Sequence, residues 1–174
     1  MKQLNNYINE QINDKNQKID LSTKLSELKI EEIKNIKELY NIVNKSDKKA
    51  NKGFWLFKEA LDKDKNAYGN INKEPWYIQY NAVKYEDNII GLMSYSLQYD
   101  EENYDPSLHI FDIQTLSEYK GVSKVYFIFF EKIAKKNNKK YLTLKCYEDS
   151  LQTLYKKYRF KISDKEYNVM YKKI

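Results

Sequence analysis

The densest hydrophobic patterning in the chain lies between Leu108 and Phe160. Residues 107–116 (SLHIFDIQTL) alternate enough to predict a strand. The turn that follows, residues 117–124 (SEYKGVSK), opens a segment with apolar residues at Val122, Val125, Tyr126, Phe129, Phe130 and Ile133. That spacing is the i, i+3, i+4, i+7, i+8, i+11 series of a helix laid on a core. Residues 141–147 (YLTLKCY) form a β-rich run, and Leu151, Leu154, Tyr155 and Tyr158 then fall at helical spacing. A strand feeding a helix through a tight basic turn aims backbone N–H groups and the positive end of a helix dipole at one spot. Such an arrangement suits a phosphate.

The rest of the chain is less insistent. Residues 1–24 are polar and asparagine-rich, with apolar marks at Leu4, Tyr7, Ile8 and Ile12. They admit an amphipathic helix or a loosely docked extension, and we divide the chain into this extension and one domain, residues 25–174. Ile30, Ile33, Ile36, Leu39, Tyr40 and Val43 predict a helix that ends in the polar run 44–49. A shorter helix is expected around residues 54–61, then a loop over 62–74 containing Gly69 and Asn70. Residues 76–83 and 89–99 predict two strands joined at Glu86-Asp87-Asn88. Residues 100–106 read as a loop, since Pro106 would disturb a central strand. Residues 161–162 and 167–171 predict a closing hairpin that turns at 163–165. The order is helices, an antiparallel meander, a βαβ crossover and a hairpin. It implies an α/β fold with a mixed, mostly antiparallel central sheet flanked by helices.

Composition narrows the function classes. At 174 residues the chain can bury a core without disulfides or metals. Its one cysteine, Cys146, excludes an internal disulfide framework and fits a reducing compartment; within an apolar strand, a buried structural thiol is the plainer reading. No apolar run approaches the roughly 20 residues that span a bilayer, and the N-terminus lacks the apolar centre of a signal peptide, so we expect a cytoplasmic protein with no membrane partner. The net charge of +6 suggests nucleic acid at first sight, but of 31 basic residues only Arg159 is an arginine. Lysine, asparagine, isoleucine and tyrosine are abundant while glycine, alanine and proline are scarce, the bias an AT-rich genome imposes. Arginine is the preferred reader of phosphate and base edges, so its near absence argues against a dedicated nucleic-acid partner.

The order of elements and the residues at two places resemble the GNAT superfamily of N-acetyltransferases, which transfer an acyl group from acetyl-CoA to an amine. The resemblance runs from about Ile30 to Ile174 and is strongest from Leu108 onward. Family members carry Q/R-x-x-G-x-G/A between the fourth strand and the third helix, where backbone amides hold the CoA pyrophosphate. The matching segment here is Glu118-Tyr119-Lys120-Gly121-Val122-Ser123, with Gly121 in place, Glu118 for the usual Gln or Arg, and Ser123 for the second small residue. Ile113-Gln114-Thr115 falls where the strand-end V-x-P usually stands, and Ala134 where the helix-end alanine does. The family's last helix often reads N-x-x-A-x-x-L-Y-x-K-x-G-F. Here Leu154, Tyr155, Lys157 and Phe160 coincide with it, while Glu148 and Arg159 replace the Asn and Gly.

The resemblance implies acetyl-CoA as co-substrate, held by Ile113, Thr115, Lys120, Gly121, Val122, Ser123 and Lys124, with no metal. It implies direct attack of a primary amine on the thioester, with Tyr155 protonating the departing thiolate. A phenol with a pKa near 10 is protonated at neutral pH and suits that task. The general base is open between Asp112 and His109 on the fourth strand. They stand three residues apart, so strict alternation places them on opposite faces. Each also has a plain structural role open to it: His109 hydrogen-bonded on a sheet face, Asp112 as a solvent-facing or capping carboxylate. Tyr155, one of 17 tyrosines, has core packing as its alternative, and Gly121 a simple turn. Lys132, Lys135, Lys136, Lys139 and Lys140 read as a solvated helix end, one or two of which meet the 3′-phosphate of CoA. The acceptor would be an amine-bearing small molecule or peptide, entering near Phe54, Trp55, Phe57, Trp76 and the acidic Asp100-Glu101-Glu102. A monomer and a homodimer are both open. A GNAT fold that has lost catalysis and serves as a binding or regulatory module is the second hypothesis, and a lysine- and tyrosine-rich nucleic-acid binder the third.

Overall fold

The computed structural model describes residues 18–47, 54, 57–58, 78–98 and 104–174. In chain order these give β1 (Ile19–Asp20), a 3-10 turn (Leu25–Glu27), β2 (Lys29–Glu32), α1 (Ile36–Asp47), β3 (Ile78–Tyr85), β4 (Asn88–Ser96) and β5 (Ser107–Thr115). There follow β6 (Tyr119–Lys120), α2 (Ser123–Lys136), β7 (Tyr141–Lys145), α3 (Asp149–Lys157), β8 (Lys161–Ile162) and β9 (Val169–Lys173). The main sheet has the order β2-β3-β4-β5-β7-β9-β8. β5 and β7 run parallel, joined by the α2 crossover, and the other neighbours are antiparallel. This is the mixed, mostly antiparallel sheet with a βαβ unit that the sequence pattern predicts.

Two apolar clusters cover the two faces. One joins Val83, Ile90, Met93, Leu108, Ile110, Leu142 and Leu144 of the sheet to Tyr126, Phe127 and Phe130 of α2. The other joins Tyr80, Ala82 and Leu92 to Leu39 and Val43 of α1, with Phe54 and Phe57. Phe127 lies outside the simple helical series yet is buried, because α3 adds a second contact surface: its ring meets Tyr155, Tyr158 and Phe160.

Three expectations change. The helix predicted from Ile30 onward begins only at Ile36; Ile30 instead lies in β2, opposite Val83 on β3. An edge ladder with a β-branched residue outweighs a spacing that happens to fit a helix. Asn35 then starts α1, its side-chain oxygen accepting the Glu38 N–H at 2.9 Å. The second change concerns the polar extension. Residues 18–24 are docked, with Leu21 wholly buried in the α2-side core. Residues 1–17, with Leu4, Tyr7, Ile8 and Ile12, lie outside the described residues. The third change is in β5 and belongs to the site.

Candidate active site

β5 carries one more residue than its partner. Ser94 faces Asp112 and Tyr95 faces Ile110, so Phe111 is the extra residue of a bulge. Ser96 faces His109. Since Ser94 and Ser96 are two apart on one strand, they share a face, and so do His109 and Asp112. The expectation of opposite faces is therefore overturned by the inserted residue. The parallel ladder with β7 runs from Ser107–Tyr141 to Ile110–Leu144 and stops there, while β5 continues to Thr115. β7 itself ends at Lys145, so beyond the bulge β5 is paired with β4 alone.

Asp112 stands just past the end of the β7 ladder. Its Oδ2 accepts the Ser94 hydroxyl at 3.2 Å, and its backbone N–H donates to the same Ser94 oxygen at 3.1 Å. Burial raises its carboxyl pKa, and the Ser94 hydroxyl opposes that shift. Tyr155, half-buried on α3, has its phenol pushed up to about 12, first by burial, then by the negative fields of Cys146, Asp112 and Glu148. It is a neutral O–H donor that senses Asp112 electrostatically. Cys146 is buried just past β7, its Sγ donating to the Glu148 carbonyl at 3.4 Å. His109 is 2% exposed, with Nδ1 at 3.0 Å from the Thr143 hydroxyl. Burial, reinforced by the Lys145 charge, lowers its pKa to about 3, so the ring is neutral and weakly basic.

The turn after β5 is tied on three sides. Tyr126, from the second turn of α2, donates its hydroxyl to the Gln114 carbonyl at 3.1 Å and lies 2.9 Å from the Thr115 hydroxyl. Ser123 meets the Tyr158 hydroxyl at 2.8 Å, linking the start of α2 to the end of α3. On the third side β1 runs parallel to β6, and Lys120 pairs with Asp20 at 3.2 Å. Gly121 adopts φ 82° and Val122 is buried behind it, while Lys124 is exposed on the first turn of α2. Ile113 packs against the α2-side core. Lys132, Lys135, Lys136 and Lys140 are exposed, as expected of a solvated helix end.

Helix α3 ends in a Schellman turn: Phe160 N–H donates to the Tyr155 carbonyl at 3.2 Å and Arg159 N–H to that of Lys156 at 3.0 Å. Arg159 takes φ 67° there, the left-handed conformation for which the resembling motif has glycine. Of the residues expected near an acceptor, Phe54 and Phe57 are buried in the α1-side core. Trp55, Trp76 and Asp100-Glu101-Glu102 lie outside the described residues. Sequence reasoning missed Ser94, Asp20 and the polar role of Tyr126. The first two come from strand register, and Tyr126 was counted only for its apolar ring. Among the described residues no group of three or more His, Cys, Asp or Glu could hold a metal, and no helix is long and apolar enough to cross a membrane.

No family model and no curated protein sequence matches the chain. Solved structures do. PaiA N-acetyltransferase from Thermoplasma acidophilum, in complex with coenzyme A, aligns with a TM-score of 0.57 at 17% identity, covering 84% of this chain and 99% of that one. A GNAT-family acetyltransferase from Listeria monocytogenes gives 0.58 at 15% identity, over 84% and 95%. One from Elizabethkingia anophelis with acetyl-CoA bound gives 0.51 at 16%, over 85% and 99%. The molecule has the GNAT acetyltransferase fold.

Proposed function

We propose that this protein is an N-acetyltransferase that takes its acetyl group from acetyl-CoA. The observation that carries the proposal is the arrangement at the end of the β5–β7 ladder: β5 runs on past Asp112 into a glycine turn and a helix start, and β7 leads into α3, whose Tyr155 senses Asp112. The neighbours in complex with coenzyme A and acetyl-CoA support the same donor. The residues present fit such a group: Gly121 at positive φ and the start of α2 offer backbone N–H groups to a pyrophosphate, Lys124 offers a cation, and Ile113 and Thr115 lie on the stretch of β5 beyond its ladder to β7. When bound, acetyl-CoA supplies an acetyl group already activated as a thioester.

The chain's own groups then have separable tasks. Asp112, its carboxyl raised in basicity by burial, takes a proton from the acceptor ammonium, directly or through water. Tyr155 stays protonated across the physiological range and holds a proton for the leaving thiolate. His109, buried and bound to Thr143, is better suited to holding β5 against β7 than to moving protons. Primary amines of small molecules or peptides are the proposed acceptors.

Calorimetric titration with acetyl-CoA tests the donor, and Tyr155→Phe tests the acid. We expect micromolar binding by both forms. In thiol-release assays on a panel of primary amines, the Phe form should turn over about 100-fold more slowly. An intact rate in the Phe form would remove Tyr155 from the chemistry. Absence of binding to acetyl-CoA, CoA and longer acyl-CoAs would leave a GNAT fold serving as a binding or regulatory module.

A further inference from the structure

The segment that precedes the fold's first sheet strand lies against the very turn assigned to the pyrophosphate. Ile19 N–H donates to the Glu118 carbonyl at 2.7 Å, and Leu21 N–H to the Lys120 carbonyl at 3.0 Å. Leu21 is wholly buried in the α2-side core, so this small parallel pairing is anchored from beneath. The Asp20 carboxylate accepts the Ser22 N–H at 3.0 Å and also meets Lys120. Its pKa falls to about 2, first through the Ser22 hydrogen bonds and then through Lys120. Gly121 closes the contact. A Cβ there would stand 2.6 Å from the Ser22 nitrogen and 2.9 Å from its Cα, both backbone atoms that cannot swing aside. Gly121 is thus fixed twice, by its φ of 82° and by the N-terminal segment beneath it.

The consequence follows from peptide planarity. In a trans peptide the C=O and the next N–H point in opposite directions. The Lys120 carbonyl is turned toward β1, so the Gly121 N–H is turned toward the opposite edge of β6. The peptide two residues earlier behaves the same way: the Glu118 carbonyl faces β1, and the Tyr119 N–H points back to the Leu116 carbonyl at 3.0 Å. Lys120, meanwhile, is drawn toward Asp20, which leaves more of the holding of an anion at this turn to backbone donors, beside Lys124 on α2.

We propose that residues Ile19, Asp20 and Ser22 are positioning residues for the cofactor turn: β1 braces β6 so that the Gly121 N–H is already aimed when the pyrophosphate arrives. This rests on the acetyltransferase reading above and adds a part to it. Two side chains of the resembling motif have changed, Glu118 and Ser123, and the order they would have contributed is supplied by a strand from outside the domain boundary drawn from sequence. Pre-organising donors in this way raises affinity without adding a contact to the ligand.

The test uses the full-length protein and three variants, each titrated with CoA and assayed for acetyl-CoA KM and kcat. Ile19→Pro removes one N–H from the half-exposed edge of β1, and CoA binding should weaken about tenfold. Asp20→Ala removes the acceptor that sets the Ser22 turn, and acetyl-CoA KM should rise about threefold with kcat unchanged. Asp20→Asn keeps that acceptor while deleting the charge, and should return KM to within about twofold of wild type. Should Ile19→Pro fail to fold, the Ala and Asn pair decides the matter alone. Wild-type affinity in Ile19→Pro and Asp20→Ala would overturn the brace while leaving the acetyltransferase reading intact. Equal losses in Asp20→Ala and Asp20→Asn would likewise overturn it, pointing to the ion pair instead. A wild-type protein that binds no CoA would overturn both.

Discussion

The two halves of β5 have the same strand geometry and opposite chemistry. Residues 107–110 pair with β7, the last two of them between β4 and β7, and His109 is buried, bonded to Thr143 and drained of basicity. Beyond Phe111, the ladder to β4 continues but the ladder to β7 has ended, and Asp112 gains basicity from a similar degree of burial. Burial penalises the charged form in both cases, which weakens an imidazole as a base and strengthens a carboxylate. One inserted residue puts both on the same face, so it is charge type and not orientation that separates scaffold from candidate base.

The sharpest way to break this comparison is Asp112→Asn. The amide keeps an acceptor for the Ser94 hydroxyl but cannot take a proton, so kcat/KM should fall by about 100-fold or more. The sign with pH follows from the raised pKa. Wild-type activity should decline on acidification at a pH above the usual value for an aspartate, as Asp112 becomes protonated, and the variant should lose that acidic limb. Full activity with an unchanged limb in the Asn form would refute the assignment.

The first half of β5 should reveal itself in stability instead. An unfolded His109 titrates near 6.5, the folded one near 3, so between those values the unfolded state binds more protons. Stability from this group is complete above pH 6.5 and is lost as pH falls toward 3. Comparing wild type and His109→Gln by urea denaturation at pH 7 and pH 4.5, wild type should lose about 2 kcal/mol more than the variant on acidification. Asp112 works in the opposite sense, since its folded pKa is raised, but it is common to both proteins and cancels in the difference. Equal acid losses in the two forms would show that His109 is not held neutral by folding.

Much of this fold could be read from periodicity, because β5, α2, β7 and α3 are each long and strongly patterned. The meander was legible too, its turn falling at Glu86, which takes φ 53°. What periodicity could not supply is counting across strands. A bulge leaves no mark in one strand's own alternation; it exists only relative to Ser94 and Tyr95. β2 escaped for a related reason, since Ile30 gains its environment from Val83 and not from its own neighbours. The docking of residues 18–24 rests on one buried side chain, Leu21, with Ile19 the only other apolar residue of that stretch, too little for any pattern to register. Arg159 shows the converse: a motif glycine can change to arginine where the left-handed turn is made by backbone bonds and the side chain is free to leave. Gly121 has no such exit, with Ser22 backbone beneath it.

The smallest effect we expect lies at the far end of β5, where the strand exchanges β7 for helix α2. Tyr126 is wholly buried, and burial raises its phenol pKa, so it is a permanent donor to the Gln114 carbonyl. Gly91 makes room for it, because a Cβ there would overlap the Tyr126 hydroxyl oxygen. Tyr126→Phe removes that hydroxyl and leaves the ring in the core, so urea denaturation should register a loss of about 1 kcal/mol. The contact also makes a double-mutant cycle informative. Gly91→Ala should be strongly destabilising in the wild type and less so in the Tyr126→Phe background, with relief incomplete because the ring carbon beneath would still stand 3.0 Å from the new methyl. Additive losses would mean that the hydroxyl is not what keeps Gly91 a glycine, and that the second half of β5 is held by its ladder to β4 alone.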